Sequence, residues 1–249
     1  MTSTATPAPP GLDERLVSTA ARNVADILGV AIDHRPPARA VIVADAQCTL
    51  ARTLAEAYRR ALPGALSLDF DSAGPDAVMR AFEELGTGDQ VVLVQTSSVR
   101  LDAFRIRVHL FKRGLKVVEH PHLGRMLPHE LPLYVDALAY DPAYFRGVGA
   151  ALRAWVDEAP GAEIHSGAAA PLVFEGGFEA SKVNIGDYRG MVNTGGQFPI
   201  GEVFTEARDL ERTHGEVRIF AFGDTSFHVN LPRTPITLVI DRGRVVETR

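Results

Sequence analysis

An α/β fold with a parallel, Rossmann-like first half is predicted for this 249-residue chain by three observations. Apolar runs of strand length alternate with amphipathic helical runs through the first half. After Pro160-Gly161 the helices give way to short β-branched segments punctuated by glycine. The composition, 46% hydrophobic and 23% charged, is that of a globular protein and leaves enough apolar residues for a sizeable core.

The elements follow in order. Leu12, Leu16, Val17, Val24, Ile27 and Leu28 recur at helical spacing, with Gly29 as a stop. Ala40 to Asp45 is a continuous apolar run, the pattern of a strand covered on both faces. Leu50, Leu54, Tyr58, Ala61 and Leu62 mark a helix ended by Pro63-Gly64. Ala65 to Phe70 reads as a second strand, and Pro75 opens a helix carrying Val78, Phe82 and Leu85. Gln90 to Thr96 is a third strand, Leu101 to Phe111 a third helix, and Leu115 to His120 a fourth strand. Such alternation implies right-handed crossovers and a parallel sheet. Pro142 to Glu158 is a further helix with Tyr144, Val148, Leu152 and Trp155 on one side. Beyond it, Ala162–Ser166, Pro171–Glu175, Val217–Phe222, Ile236–Ile240 and Arg244–Glu247 read as strands, and Asp241-Arg242-Gly243 as a hairpin turn. The expected division is a disordered lead-in over 1–11, a Rossmann-like domain over 12–125, a helical connection over 126–159 and a β-rich domain with antiparallel strands over 160–249.

Charge and composition narrow the function. A net charge of −5 and a pI of about 5.9 argue against nucleic acid as the main partner, because phosphate binding needs a basic footprint. No run of about 18 apolar residues is present, so no membrane span is expected. The lead-in lacks the basic start and apolar core of a signal peptide. One cysteine, Cys48, cannot form an internal disulfide, and a reducing, cytoplasmic location is the natural expectation.

Each candidate site has a plain structural counterpart. No glycine-rich dinucleotide fingerprint follows the first strand, so a nicotinamide cofactor is not expected. Thr96-Ser97-Ser98 offers hydroxyls for an anion or simply caps a helix. Cys48 is either a thiol activated near a helix start or a buried inert one. Glu119-His120-Pro121-His122, with His129-Glu130 close by, is the one local cluster of metal-type ligands; His120 and His122 alternate in an extended segment and could share a metal ion, or they mark a polar strand exit. The third helix carries Arg100, Arg105, Arg107, His109, Lys112 and Arg113, either a solvated side or a basic face for an acidic peptide. The segment Asn193 to Thr205 is the most informative. Its glycines permit close backbone approach, and it reads as a loop built to present the Glu202 carboxylate, or as an ordinary glycine-rich turn.

The string Pro199-Ile200-Gly201-Glu202-Val203-Phe204-Thr205 resembles the signature of the aminopeptidase T / aminopeptidase S family of metallo-aminopeptidases. Glu163-Ile164-His165 with Leu172-Val173-Phe174, and Leu238 to Glu247, are similar to the strands around that signature. The scaffold is shared with 2,5-dihydroxypyridine dioxygenases. By that resemblance Glu202 is a metal ligand, and the family's remaining ligands lie beyond the last residue of this chain. One carboxylate does not hold a catalytic metal, which needs at least three protein ligands. The resemblance therefore implies a C-terminally truncated scaffold. The expected function is non-catalytic peptide binding, with the peptide presented to a partner enzyme in a peptide-biosynthesis setting. The expected contacts are Gly195, Gly196, Phe198, Glu202, Phe204, Arg105 and Lys112. No catalytic residue and no cofactor is expected. The family's dimers imply a homodimer. One alternative is a metal-dependent aminopeptidase, with zinc or iron and its ligands completed in trans or in a longer chain. Another is a protein like the non-haem iron dioxygenases.

Overall fold

In the computed structural model, residues 11–97, 106–224 and 228–249 are described. Two compact units emerge, and they do not follow chain order. One contains Met1–Gly147 with Asn184–Gly201, the other Val148–Val183 with Glu202–Arg249. The glycine-rich stretch 184–201, which the sequence grouped with the β-rich half, thus belongs to the first unit, as does the first part of the expected helical connection.

The first unit begins with α1 (Glu14–Asp26), whose N-terminal amides on Arg15 and Leu16 are capped by the Asp13 carboxylate. Gly29 does not stop it. The chain passes instead into a π-turn over Ile27–Ala31. Strand β1 (Ala40–Ala44), α2 (Thr49–Ala61), β2 (Leu66–Asp69), α3 (Phe70–Glu83), β3 (Gln90–Val94), α4 (Ile106–Lys112) and β4 (Lys116–His120) then alternate in the predicted order, while the 101–105 part of the expected third helix lies outside the described residues. The helix α3 kinks at Gly74, where φ is 74°, so a fresh helical segment starts at Pro75. After two 3-10 turns, α5 (Leu131–Ala137) packs Val135 into the core, and α6 (Pro142–Glu158) leads out of the unit.

Its sheet has five strands in the order β2-β1-β3-β4-β8, where β8 is Gly195–Gln197, with every pairing parallel. The fifth strand is the surprise. Gly195–Gln197 forms β8 and pairs with Val117–Glu119, so the segment read as a presenting loop is partly an edge strand. One face of the sheet packs α1, α2 and α5 around Ile42, Leu54, Tyr58 and Val118, all fully buried. The other packs α3 and α4 around Phe82, Val91, Leu110 and Val117.

The second unit carries β5 (Gly161–Ile164), β6 (Leu172–Glu175), the first two residues of β7 (Lys182–Asn184), β9 (Glu202–Phe204), β10 (Thr213–Ile219), β11 (Phe222–Gly223), β12 (Val229–Asn230), β13 (Ile236–Asp241) and β14 (Arg244–Thr248). Its main sheet runs β14-β13-β10-β6-β5 and is antiparallel at each pairing. The predicted hairpin is present, with positive φ at Arg242 (49°) and Gly243 (70°), the two-residue turn that matches strand twist. Opposite partners share a face, so Val217 with Leu238 and Ile219 with Ile236 form an apolar side. That side is only partly covered. No helix among the described residues is long and apolar enough to cross a membrane.

Candidate functional site

The carboxyl end of β4 carries two adjacent side chains with opposite surroundings. Glu119 lies among polar side chains where the ends of β3, β4 and β8 meet. Its Oε1 accepts from Gln95 Nε2 at 3.2 Å, and its Oε2 accepts from Arg107 Nη1 at 3.2 Å and Gln197 Nε2 at 3.3 Å. This carboxylate ties three strands and α4 together at the end of the sheet where ligands bind in such folds. The sequence reading met Glu119 only as a member of the metal-type cluster with His120 and His122, not as the acceptor that joins these segments. Its signal was the polar residue closing each apolar run, Gln95 after β3 and Glu119 near the end of β4.

His120 is the neighbour, and it is fully buried. Its Nε2 lies 2.7 Å from the Tyr58 hydroxyl, and its Nδ1 lies 3.0 Å from the Phe198 carbonyl and 3.1 Å from the Tyr134 hydroxyl. Tyr134 itself donates to the Phe198 carbonyl at 2.8 Å. One tautomer satisfies the set: Nδ1–H donates to Phe198, and Nε2 accepts the Tyr58 proton. Burial pushes the imidazole pKa down to about 4, with the Phe198 carbonyl opposing in part. Burial raises both tyrosines, Tyr58 most strongly. The histidine therefore stays neutral, and its lone pair is spent on Tyr58.

That geometry corrects the metal expectation for His120 and His122. The strand ends at His120, and His122 adopts a left-handed conformation with φ 61°, so the two do not alternate in extended chain. His120 has no lone pair left for an ion. Among the described residues, no three His, Cys, Asp or Glu side chains are gathered so as to hold a metal. The described residues do not fit a zinc or iron centre of the kind the resemblance implies.

The signature segment is likewise placed by packing. A Cβ on Gly195 would run into the Val117 backbone, and one on Gly196 would come within 2.6 Å of the Tyr188 hydroxyl. Gly195 is required for β8 to lie against β4, and Gly196 makes room for the Tyr188 hydroxyl. Phe198 is 3% exposed and belongs to the core, out of reach of a peptide, contrary to the contact expected of it. The Phe198–Pro199 bond is cis. In the second unit, Glu202 and Phe204 lie on the short strand β9, beside β7. Glu202 is exposed, and Lys182 Nζ sits 5.9 Å from the centre of the half-exposed Phe204 ring.

The basic helix is largely spoken for. Arg107 pairs with Glu119, and Arg113 donates to the carbonyls of Glu83 and Leu85, while Lys112 is exposed. Arg100 and Arg105 lie outside the described residues, as does Ser98. Thr96 does not offer an anion site, because its amide and hydroxyl both donate to Asp45, the amide at 2.7 Å. Cys48 is the N-cap of α2, its Sγ accepting from the Ala51 amide at 3.4 Å.

No known family model and no curated protein matches the sequence. Among solved structures, the chain is similar to wild-type AmpT from Thermus thermophilus, an aminopeptidase, with a TM-score of 0.56 at 16% identity. The match covers 93% of this chain and 71% of that one. At this identity the likeness is one of fold, a distant aminopeptidase-like architecture that extends through both units.

Proposed function

We propose that the chain is a non-catalytic peptide-binding protein on an aminopeptidase-like scaffold, which presents a peptide to a partner enzyme. The observation that carries the reading is an open antiparallel edge on that scaffold. Strand β14 closes one side of the second sheet, and all five of its residues are exposed. It contains no proline, so its outward N–H and C=O groups are available to a peptide that adds as a further strand. Glu202, Phe204 and Lys182 on β9 and β7 offer charge and an aromatic face for side-chain choice. A second copy of the chain, covering the apolar side of the same sheet, would give the homodimer.

The test is calorimetric titration of the full chain with peptides encoded beside its gene, against scrambled controls. The reading expects a dissociation constant of about 1 μM for the right peptide. Binding no tighter than about 1 mM for every peptide would overturn it. The second reading, a metal-dependent aminopeptidase, is favoured by one observation: the Glu202 side chain is exposed and makes no hydrogen bond or ion pair with the described residues, as an available ligand would be. It requires further ligands from outside the described residues or from another chain. Release of N-terminal residues that needs added divalent metal and disappears in Glu202→Gln would establish it.

A further inference from the structure

An opening in the first unit lies at the amino end of its parallel sheet, at the opposite end of the strands from Glu119. A cleft of about 470 Å³ lies between the π-turn after α1, the loop before β1 and the end of α2. That volume falls within the range of small-molecule sites. Its walls are aliphatic, with Leu28, Pro36, Leu62 and Pro63 among them, and no aromatic side chain takes part. Two side chains break the apolar lining, His34 and Arg39, and no carboxylate lines the cleft.

Both polar residues have unspent capacity. The Nδ1 atom of His34 is buried and has no hydrogen-bond partner. A native protein leaves few such atoms, and each calls for an explanation, an absent ligand being one. Burial and the nearby Lys116 ammonium lower the His34 pKa, so the ring is neutral at pH 7. The Lys116 ammonium is itself engaged by the carbonyls of Ile32 and Asp33. Arg39 spends Nε on Asp89 at 3.1 Å and Nη2 on the Glu84 carbonyl, and neither bond uses Nη1. The backbone here is also irregular. The wall includes Leu28 and Gly29 of the π-turn, and Asp33 beside His34 has φ 58°. Single π-turns and left-handed non-glycine residues concentrate at functional sites.

We infer that this cleft binds a small aliphatic monocarboxylate, its chain along the Leu28–Leu62 wall and its head between His34 and Arg39. The inference does not rest on peptide binding, since every residue it uses lies in the first unit and none on the β-rich sheets.

The experiment uses the full chain with labelled histidine rings and follows His34 by NMR, assigned through His34→Gln. Octanoate is the probe, and octanol is its uncharged counterpart. A saturable shift of the His34 resonance is expected, with a dissociation constant of about 1 mM, the scale for a ligand of about ten non-hydrogen atoms. Octanol should bind about tenfold more weakly, having lost a charged hydrogen bond. Filling the cleft by Ala65→Phe, or independently by Ala38→Leu, should abolish the shift. Absence of a saturable shift at about 10 mM octanoate, about ten times the expected constant, would overturn the assignment. So would equal binding of octanol, or a shift that persists in either folded cleft-filled variant.

Discussion

The two units of this chain solve burial differently. The parallel sheet of the first is covered on both faces, and all five residues of β3 are buried. Among the described residues, the antiparallel sheet of the second is only partly covered. Among the described residues Leu172 is the one buried hydrophobic side chain of that unit, while Trp155, Val229 and Leu231 are more than 70% exposed. A parallel sheet needs helices on its faces, and the βα connections supply them from the same stretch of chain. An antiparallel sheet is joined by hairpins that bring no helix along, so its apolar side must be covered by something else. The first unit thus carries a core of its own, and the second leaves most of its apolar side chains at least partly exposed among the described residues.

The largest test of that contrast is truncation in each unit. Leu54→Ala, at a fully buried position in the first unit, should cost about 2 to 5 kcal/mol through lost burial and an unfilled cavity. Val245→Ala, at an exposed position of β14, should change stability by no more than about 0.5 kcal/mol. Urea unfolding of the two variants measures both. Equal losses would mean that the second unit has a core of its own.

The next test uses the buried histidine. His120 has a folded-state pKa of about 4 against an ordinary 6.5. Between those values the unfolded chain binds a proton that the folded chain refuses, so stability rises with pH across that window and is fully present above it. The predicted loss on acidification through the window is about 3 kcal/mol, at 1.36 kcal/mol per pKa unit. Burial also depresses His34, which adds to the same slope. In His120→Gln the slope of unfolding free energy against pH should flatten to the remainder. An unchanged slope would show that His120 is not the group that titrates.

How much of this was legible in the sequence follows from the same contrast. Continuous apolar runs located β1, β3 and β4 within a residue or two, because strands covered on both faces leave a strong local pattern. The hairpin at Arg242-Gly243 was legible for a different local reason, its turn chemistry. The strand β8 was not, since Gly195-Gly196-Gln197 has no β-branched residue and is a strand only because Val117 to Glu119 offers it an edge. Gly29 misled because a glycine near a helix end reads as a stop, whereas the hydrogen bonding widened into a π-turn. The site suffered most. Glu119 takes its donors from three other segments, and His120 takes its partners from positions 58, 134 and 198, separations that no local pattern encodes.

A smaller effect concerns the glycine pair. Gly196→Ala should destabilise by about 1 to 3 kcal/mol, since the new methyl would lie 2.6 Å from the Tyr188 hydroxyl and force a shift in a packed region. Chemical denaturation of the full chain checks it. Relief by Tyr188→Phe would identify the hydroxyl as the obstacle. A neutral Gly196→Ala would return the glycine to a role in ligand approach.

The smallest effect on stability, and the most informative about function, is expected at the open edge. The pairing of β13 with β14 shifts register between Val239 and Ile240, which leaves Val246 without an opposite partner. A residue in that position contributes little to the ladder, so Val246→Lys should change unfolding free energy by no more than about 0.5 kcal/mol. Its effect on association should be larger. A lysine on an edge strand opposes pairing with another strand, both by charge and by the cost of desolvating the ammonium. If β14 receives the peptide, the variant should bind it at least about tenfold more weakly, a loss of about 1.4 kcal/mol. The dimer discriminates further. A second copy covering the apolar side would be lost on substitution of Leu238, which faces that side opposite Val217, while Val246→Lys should leave it intact. Light scattering and calorimetry on Val246→Lys and Leu238→Lys therefore separate two uses of one sheet. Peptide loss in the first with the dimer kept would place the peptide on the edge and the copy on the face. Unchanged peptide affinity in Val246→Lys would remove β14 from the account and leave the second unit's open surface to association alone.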